Sequence, residues 1–289
     1  MIFFTFSILM YLVQNISNKH FSLNAPNNST GVSLVQNGIC TLSSAIILIL
    51  FNGIEFMSAG LTLLALLFGI TYLSTIFLLI KAFTLGSMGN STLLCNIGMF
   101  ISAIYGIVKF KDDFSVFILI GGICMLLAVV MSVPRDNNPK SCGKVWFMFA
   151  LLSGISNGVT ASVKREAVAL CPDNPHTFLT WGFLFAAIIS FIILSANKVC
   201  RNQGRMVLGS KALICCGIGA GIGTAGANLF QMLAVKTVSS AIIFPFTAGF
   251  LVVSLWLLSL LVYKETKLKL RNILSVILCL MAIILINIK

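Results

Sequence analysis

Residues 58–80 decide what kind of protein this chain forms, and they read SAGLTLLALLFGITYLSTIFLLI. The stretch carries no charge, and a helix rising about 1.5 Å per residue crosses a hydrocarbon core of about 30 Å in roughly 20 residues. With no water at that depth, a spanning segment must satisfy its own backbone groups, which a helix does. The stretch therefore predicts a transmembrane helix.

Nine further stretches have the same character. The ten predicted spans, within a few residues at each end, are 2–23, 31–51, 58–80, 88–108, 115–132, 145–163, 177–196, 212–235, 239–262 and 270–288. The composition agrees, because 58% of the 289 residues are hydrophobic and only 9% are charged, well below the share in soluble domains. The longest predicted connectors are 164–176 and 197–211. The predicted fold is an all-α integral membrane protein with one membrane domain.

The net charge of +12 comes from basic residues scattered singly or in small groups through the connectors. Loops of membrane proteins normally look like this, so we expect no nucleic-acid partner. The expected partners are the lipid bilayer and a small-molecule solute, with no cofactor and no metal ion, and a homodimer is left open.

The chain divides into two similar halves. Ser87 and Asp112 are 25 residues apart, and Ser240 and Glu265 are also 25 apart. A final apolar stretch follows the charged residues that end each of these two segments. This spacing predicts two five-helix repeats, at 1–133 and 145–289, joined by a connector at 134–144. Because five is odd, the second copy inserts inverted, and such repeats enclose a substrate site near the midplane. Composition shared by any helical bundle is the alternative explanation.

Three places carry distinctive residue patterns. Residues 11–19 read YLVQNISNK, residues 226–236 read GANLFQMLAVK before SSAIIFP at 239–245, and Tyr263, Lys264 and Glu265 end the ninth span. These resemble the EamA-like family of the drug/metabolite transporter superfamily. The family has a Trp-Gly-x-Asn pattern with a lysine eight residues after the tryptophan, then a Gly-rich helix, a short turn and a proline-containing helix with a Gly-Glu stop.

The resemblance implies a ten-helix carrier that moves small metabolites, amino acids, sugars or drugs by alternating access. The chain departs from the family pattern where Tyr11 and Leu12 replace Trp-Gly and Gln14 replaces the asparagine. Thr92 stands at the position of the first-half proline.

Polar residues within the predicted spans are candidates for substrate binding, because polar groups in a bilayer usually face the bundle interior or a water-filled cavity. The candidates are Gln14, Asn18, Lys19, Thr92, Asn96, Thr224, Asn228 and Gln231. Thr224, Asn228 and Gln231 lie at i, i+4 and i+7, on one helix face. Lining a cavity and cross-linking helices are both open interpretations of that face.

Lys19 and Pro245 also have two interpretations each. Lys19 either anchors an anionic group of the solute or extends its ammonium to the membrane interface. Pro245 removes one backbone donor and predicts a kink, which is either static or a hinge.

The acidic residues are informative through their positions. All seven fall in predicted connectors or at span ends: Glu55, Asp112, Asp113, Asp136, Glu166, Asp173 and Glu265. This disfavours proton exchange on a buried acid and favours a neutral, zwitterionic or anionic solute. An enzyme is not expected, because the spans offer no HExxH and no nucleophile–base pair. A cation or multidrug exporter and a non-transporting structural subunit remain alternatives.

Orientation and location stay open. Placing both termini in the cytoplasm, as the family resemblance implies, would put 13 basic residues outside and 6 inside, against the positive-inside rule. Without long extensions, the default expectation is a prokaryotic cell membrane.

Overall fold

The computed structural model describes residues 2–25, 29–111, 116–132, 143–172, 174–236, 240–264 and 270–287. Within these ranges all regular structure is helical. The helices are α1 Ile2–Asn24, α2 Thr30–Asn52, α3 Ala59–Leu85, α4 Met88–Asn96, α5 Gly98–Phe110, α6 Val116–Ser132, α7 Gly143–Leu170, α8 Pro175–Ala196, α9 Lys198–Leu208, α10 Lys211–Val235, α11 Ser240–Leu261 and α12 Leu270–Asn287.

Six of these helices are long and apolar enough to cross a membrane. They are Thr30–Asn52, Ala59–Leu85, Met88–Phe110, Gly143–Leu170, Pro175–Ala196 and Lys211–Val235, with α4 and α5 counted together. The chain is therefore a helical membrane protein, as predicted. The predicted count of ten spans in two inverted repeats is not confirmed, because the described ranges contain eleven helices when α4 and α5 count as one.

Helix α7 is longer than the sequence predicted. It continues to Leu170, seven residues beyond the predicted end at 163, so the predicted connector at 164–176 was wrong over its first half. Lys164, Arg165 and Glu166 are polar but are good helix formers, and they end an apolar run without ending a helix. Lys164 and Ala167 are both buried, so this part of the helix stays in the protein interior.

A short helix, α9, replaces most of the predicted connector at 197–211. The Asn197 side chain caps it by accepting from the backbone N–H groups of Val199 at 2.9 Å and Cys200 at 3.3 Å. Cys200, Gly204 and Val207 are buried at i, i+4 and i+7, so one face of α9 packs against the protein.

The chain forms two compact units. Unit 1 comprises Met1–Ile80 and Val163–Thr237, and unit 2 comprises Lys81–Ser162 and Val238–Lys289. Each unit therefore takes pieces from both predicted halves. The repeats can be aligned by matching Ser87 with Ser240, which are 153 residues apart. In this alignment residue 80, where the first piece of unit 1 ends, corresponds to residue 233, four residues before the second piece ends at 237.

In unit 1, α10 packs against both α1 and α2 and uses glycines on each side. A Cβ on Gly223 would lie 2.5 Å from the backbone nitrogen of Gln14 in α1. A Cβ on Gly221 would lie 2.7 Å from the carbonyl oxygen of Cys40 in α2. These glycines let three helix backbones approach closely, which is how membrane helices pack where the hydrophobic effect between them is weak.

In unit 2, α4 and α5 are separated at Ile97, where the helix is interrupted. The Asn96 side chain donates to the carbonyl of Thr92 at 2.9 Å, and the Ile97 N–H bonds to Leu94, three residues back. An asparagine that bonds its own helix in this way competes with the regular ladder. Gly98 follows the break, and its α-carbon faces the backbone of Gly154 so closely that no Cβ fits between them.

Candidate functional site

A lysine ammonium lies at the centre of a polar cluster inside unit 1. Lys164, in the part of α7 that the sequence did not predict, is 3% exposed. Its Nζ donates to Asn228 Oδ1 at 3.1 Å, to the Tyr11 hydroxyl at 3.4 Å and to Gln231 Oε1. These three acceptor oxygens belong to neutral side chains. We call Lys164, Tyr11, Asn228 and Gln231 the lysine cluster.

The helices explain why these four residues meet. Asn228 and Gln231 are three residues apart on α10 and share a face, and the α10 glycines bring α1 against that helix. Tyr11 on α1 then donates to Gln231 Oε1 at 2.9 Å. The end of α7 supplies the cation.

One turn along α1, a second set of hydrogen bonds is continuous with the lysine cluster. Gln14 Nε2 donates to the Tyr72 hydroxyl at 2.7 Å, and that hydroxyl lies 2.9 Å from Thr224 Oγ1. Thr224 in turn lies 3.4 Å from the sulfur of Cys40, and its backbone carbonyl accepts from Asn228 Nδ2 at 2.9 Å. These contacts connect α1, α2, α3 and α10.

A third set of polar side chains is buried on α1 and α2. Gln36 Nε2 on α2 donates to Asn18 Oδ1 on α1 at 3.3 Å, and Asn37 is the next residue of α2. Asn18, Gln36 and Asn37 are all 0% exposed. We call these three residues the amide cluster.

Several amide atoms in unit 1 are buried without a hydrogen-bond partner among the described parts of the protein. They are Asn18 Nδ2, Gln36 Oε1, Asn37 Nδ2, Asn37 Oδ1 and Gln231 Nε2. A buried polar atom left unpaired costs about 1–3 kcal/mol, and native proteins rarely tolerate a group of them without a reason. Asn37 is the clearest case, since neither end of its side chain is paired.

Five predicted site residues belong to these connected sets in unit 1. They are Gln14, Asn18, Thr224, Asn228 and Gln231. Lys19 is also buried in α1, at 1% exposure. Thr92 and Asn96 lie in unit 2, where each donates to a carbonyl of its own helix. Pro245 lies within α11, and its side chain is outside the described residues.

Sequence analysis missed Lys164, Tyr72, Cys40, Gln36 and Asn37, and it used Tyr11 only for the family resemblance. A signal for Lys164 was available: Ser153, Asn157, Thr160 and Lys164 follow one another at i, i+4, i+7 and i+11. That spacing is a polar helix face running past residue 163.

Two of the seven acidic residues can be located. Glu55 lies in the connector after α2, where it accepts from Asn174, and Glu166 lies in α7, one turn before the helix ends. Asp112, Asp113, Asp136, Asp173 and Glu265 lie outside the described residues.

The comparisons with known proteins show the fold and nothing finer. No protein-family model matches the chain, and no curated protein matches it. Among solved structures 28 chains match, so the fold is a known one. One of them, described only as the crystal structure of a protein, matches with a TM-score of 0.67 and 11% sequence identity. The match covers 99% of this chain and 95% of the chain in that crystal structure.

Proposed function

We propose that the chain is a multi-pass membrane carrier that moves a small polar metabolite by alternating access, as members of the EamA-like family do. The supporting observation is that five amide atoms on α1, α2 and α10 of unit 1 are buried without a hydrogen-bond partner among the described residues. In a bilayer such atoms are costly unless a solute or a water-filled cavity satisfies them, and carriers provide both.

The division of the chain into units also supports this proposal. Each unit takes pieces from both predicted repeats, and the two unit-1 pieces end at residues 80 and 237, within a few residues of the offset between Ser87 and Ser240. Secondary transporters are typically built from such inverted repeats, with residues of both repeats around the substrate site. The ten-span repeat architecture and a prokaryotic cell membrane location are part of the same proposal.

Two alternatives are less well supported. A structural subunit has no need for unpaired buried amides, because helix packing alone favours polar groups that satisfy one another. An exporter of lipophilic cations would have to bring its substrate close to the ammonium of Lys164, against charge repulsion in a poorly solvated site. We therefore propose a neutral, zwitterionic or anionic solute.

The test is solute counterflow in proteoliposomes that contain the purified full-length chain. Vesicles are loaded in turn with unlabelled amino acids, sugars, organic acids and quaternary amines, and uptake of the same labelled solute is followed. Saturable uptake of at least one polar solute, absent from protein-free vesicles, is the expected result. Uptake restricted to quaternary amines would favour the exporter, and no uptake of any class would contradict the carrier proposal.

A further inference from the structure

Helix α9 is held at the surface of the membrane by the two helices that flank it in sequence. Only Asn197 separates it from α8, and only Gly209 and Ser210 separate it from α10. Both neighbours, Pro175–Ala196 and Lys211–Val235, are long and apolar enough to cross a membrane. Links this short keep α9 at the level where those two helices leave the hydrocarbon core, which is the layer of lipid headgroups.

One face of α9 packs beside the first turns of α2. The backbone of Cys200 lies so close to Gly31 that no Cβ fits between them, and a Cβ on Gly204 would lie 2.6 Å from the side chain of Val35, one turn further along α2. The Gly31 N–H also donates to Gln203 Oε1 at 3.2 Å. The opposite face of α9 is therefore turned away from α2, at the end of unit 1 where α2 begins.

That opposite face is basic. Lys198, Arg201 and Arg205 lie at i, i+3 and i+7, on one side of the helix, and all three are exposed. The sequence has no acidic residue in 1–54 or in 174–264, so neither stretch supplies a carboxylate to neutralise these charges. The protein thus presents three cations together at headgroup level.

Two apolar side chains are exposed along the edge of the basic face. Val199 and Met206 are seven residues apart on α9, so they lie on one side of the helix. Basic residues with apolar residues beside them are typical of helices that lie in the interface of a bilayer. Anionic lipid is favoured over an acidic protein as the partner, because the short links fix α9 in the headgroup layer.

The two ends of unit 1 differ in charge. Among the described side chains that are not buried, the end with α9 has four basic and no acidic ones: Lys198, Arg201, Arg205 and Lys211. The other end, where Asn174 after α7 donates to Glu55 after α2, has two acidic and two basic ones: Glu55, Glu166, Arg165 and Lys236. Basic residues concentrate on the cytoplasmic side of membrane proteins, and the cytoplasmic leaflet carries anionic lipids.

We propose that α9 lies on the anionic headgroups of the cytoplasmic leaflet, with its basic face against lipid phosphates and with Val199 and Met206 at the acyl boundary. Ile2, at the opposite end of α1, then lies on the outer side of the membrane. This is the reverse of the orientation that the family resemblance implies. The lipid contact is independent of the transport activity proposed above.

The first test is amide hydrogen exchange of the full-length chain in nanodiscs. One set contains phosphatidylcholine alone, and the other an equal mixture of phosphatidylcholine and phosphatidylglycerol. A basic residue near an anionic surface contributes about fivefold, so three of them should slow exchange across 198–208 by up to about 100-fold in the mixture. In about 1 M salt, where the Debye length falls to about 3 Å, this difference should be largely lost. Equal exchange in the two lipids at low salt would overturn the proposal.

A triple substitution locates the effect. Glutamine keeps the helix propensity of lysine and arginine but removes the charge, so the variant should exchange equally in the two lipids across 198–208. It combines Lys198→Gln, Arg201→Gln and Arg205→Gln. The control removes the same charge from three exposed lysines outside α9, by Lys111→Gln, Lys144→Gln and Lys236→Gln. A lipid effect that survives the substitutions on α9, or that the control loses as well, would contradict the proposed contact.

A membrane-impermeant maleimide tests the side of the membrane. Asn202→Cys on the exposed face of α9 should gain a label only after the cells are opened, whereas Ser58→Cys, exposed at the other end of unit 1, should gain one in intact cells. The unsubstituted chain gives the background from its own nine cysteines. Labelling of the Asn202→Cys variant in intact cells, or equal labelling of the two variants, would overturn the proposal. Neither measurement uses a solute, so a failure here leaves the carrier proposal standing.

Discussion

Replacing Asn37 by leucine should stabilise the protein and impair transport. Asn37 is 0% exposed, and neither its Oδ1 nor its Nδ2 has a hydrogen-bond partner among the described residues. Leucine has nearly the same shape and removes both unpaired atoms. Each such atom costs about 1–3 kcal/mol, so counting the side chain as a single unpaired group predicts a gain of about 1–3 kcal/mol in the free energy of unfolding.

The effect on function should have the opposite sign. If Asn37 serves the solute, its loss leaves a polar group of the bound solute unpaired, which weakens binding about 10-fold. Opposite changes in stability and binding distinguish a ligand-binding residue from a structural one. Replacing a residue that only holds helices together would lower both the stability of the protein and its binding of solute. This is the stability–function trade-off expected where a protein keeps an unfavourable group for its ligand.

The assay pairs thermal unfolding in detergent with counterflow in proteoliposomes at matched protein density. Thr41→Val is the control, since Thr41 is equally buried one turn away on α2 and donates its hydroxyl to the carbonyl of Asn37 at 2.7 Å. That variant should retain wild-type flux. A destabilised Asn37→Leu variant, or one that transports normally, would refute the reasoning from unpaired atoms.

Three further predictions concern the scaffold. Gly98→Ala should prevent accumulation of folded protein, because the added Cβ would overlap the backbone of Gly154. Gly60→Ala should be tolerated, because nothing lies within 4 Å of an added Cβ there. Detergent extraction followed by size-exclusion chromatography distinguishes the two variants. Asn197→Ala should cost about 1 kcal/mol by uncapping α9, seen as faster hydrogen exchange confined to 198–208, and uniform exchange along the chain would contradict it. Tyr72→Phe should lower the free energy of unfolding by about 1–3 kcal/mol, since its hydroxyl joins two buried side chains, and an unchanged unfolding temperature would count against that network.

Much of the fold could be predicted from hydropathy alone. Helical spans follow from runs of apolar residues because a bilayer allows few other structures. The polar face of α10 was also found, since Thr224, Asn228 and Gln231 repeat with the period of a helix. Each of these features is local, so a single sequence is enough to reveal it.

The centre of the candidate site was missed for a physical reason. A hydropathy profile treats Lys164 as the end of a span, although its charge is held inside the protein by oxygens from α1 and α10. Those partners lie 153 residues before it and 64 and 67 residues after it, so no local pattern contains them. Whether Asn37 is paired depends in the same way on which helices surround it.

The polar end of α7 has a consequence for how the protein is made. When α7 leaves the ribosome, α1 already exists, but α10, which carries Asn228 and Gln231, has yet to be synthesised. A lysine in the hydrocarbon core is unfavourable during insertion, so until α10 arrives Lys164, six residues from the end of α7, is better placed at the lipid headgroups. The lysine cluster thus assembles late, and a nascent chain arrested before residue 211 holds α7 in the bilayer without the two amides that later enclose its charge.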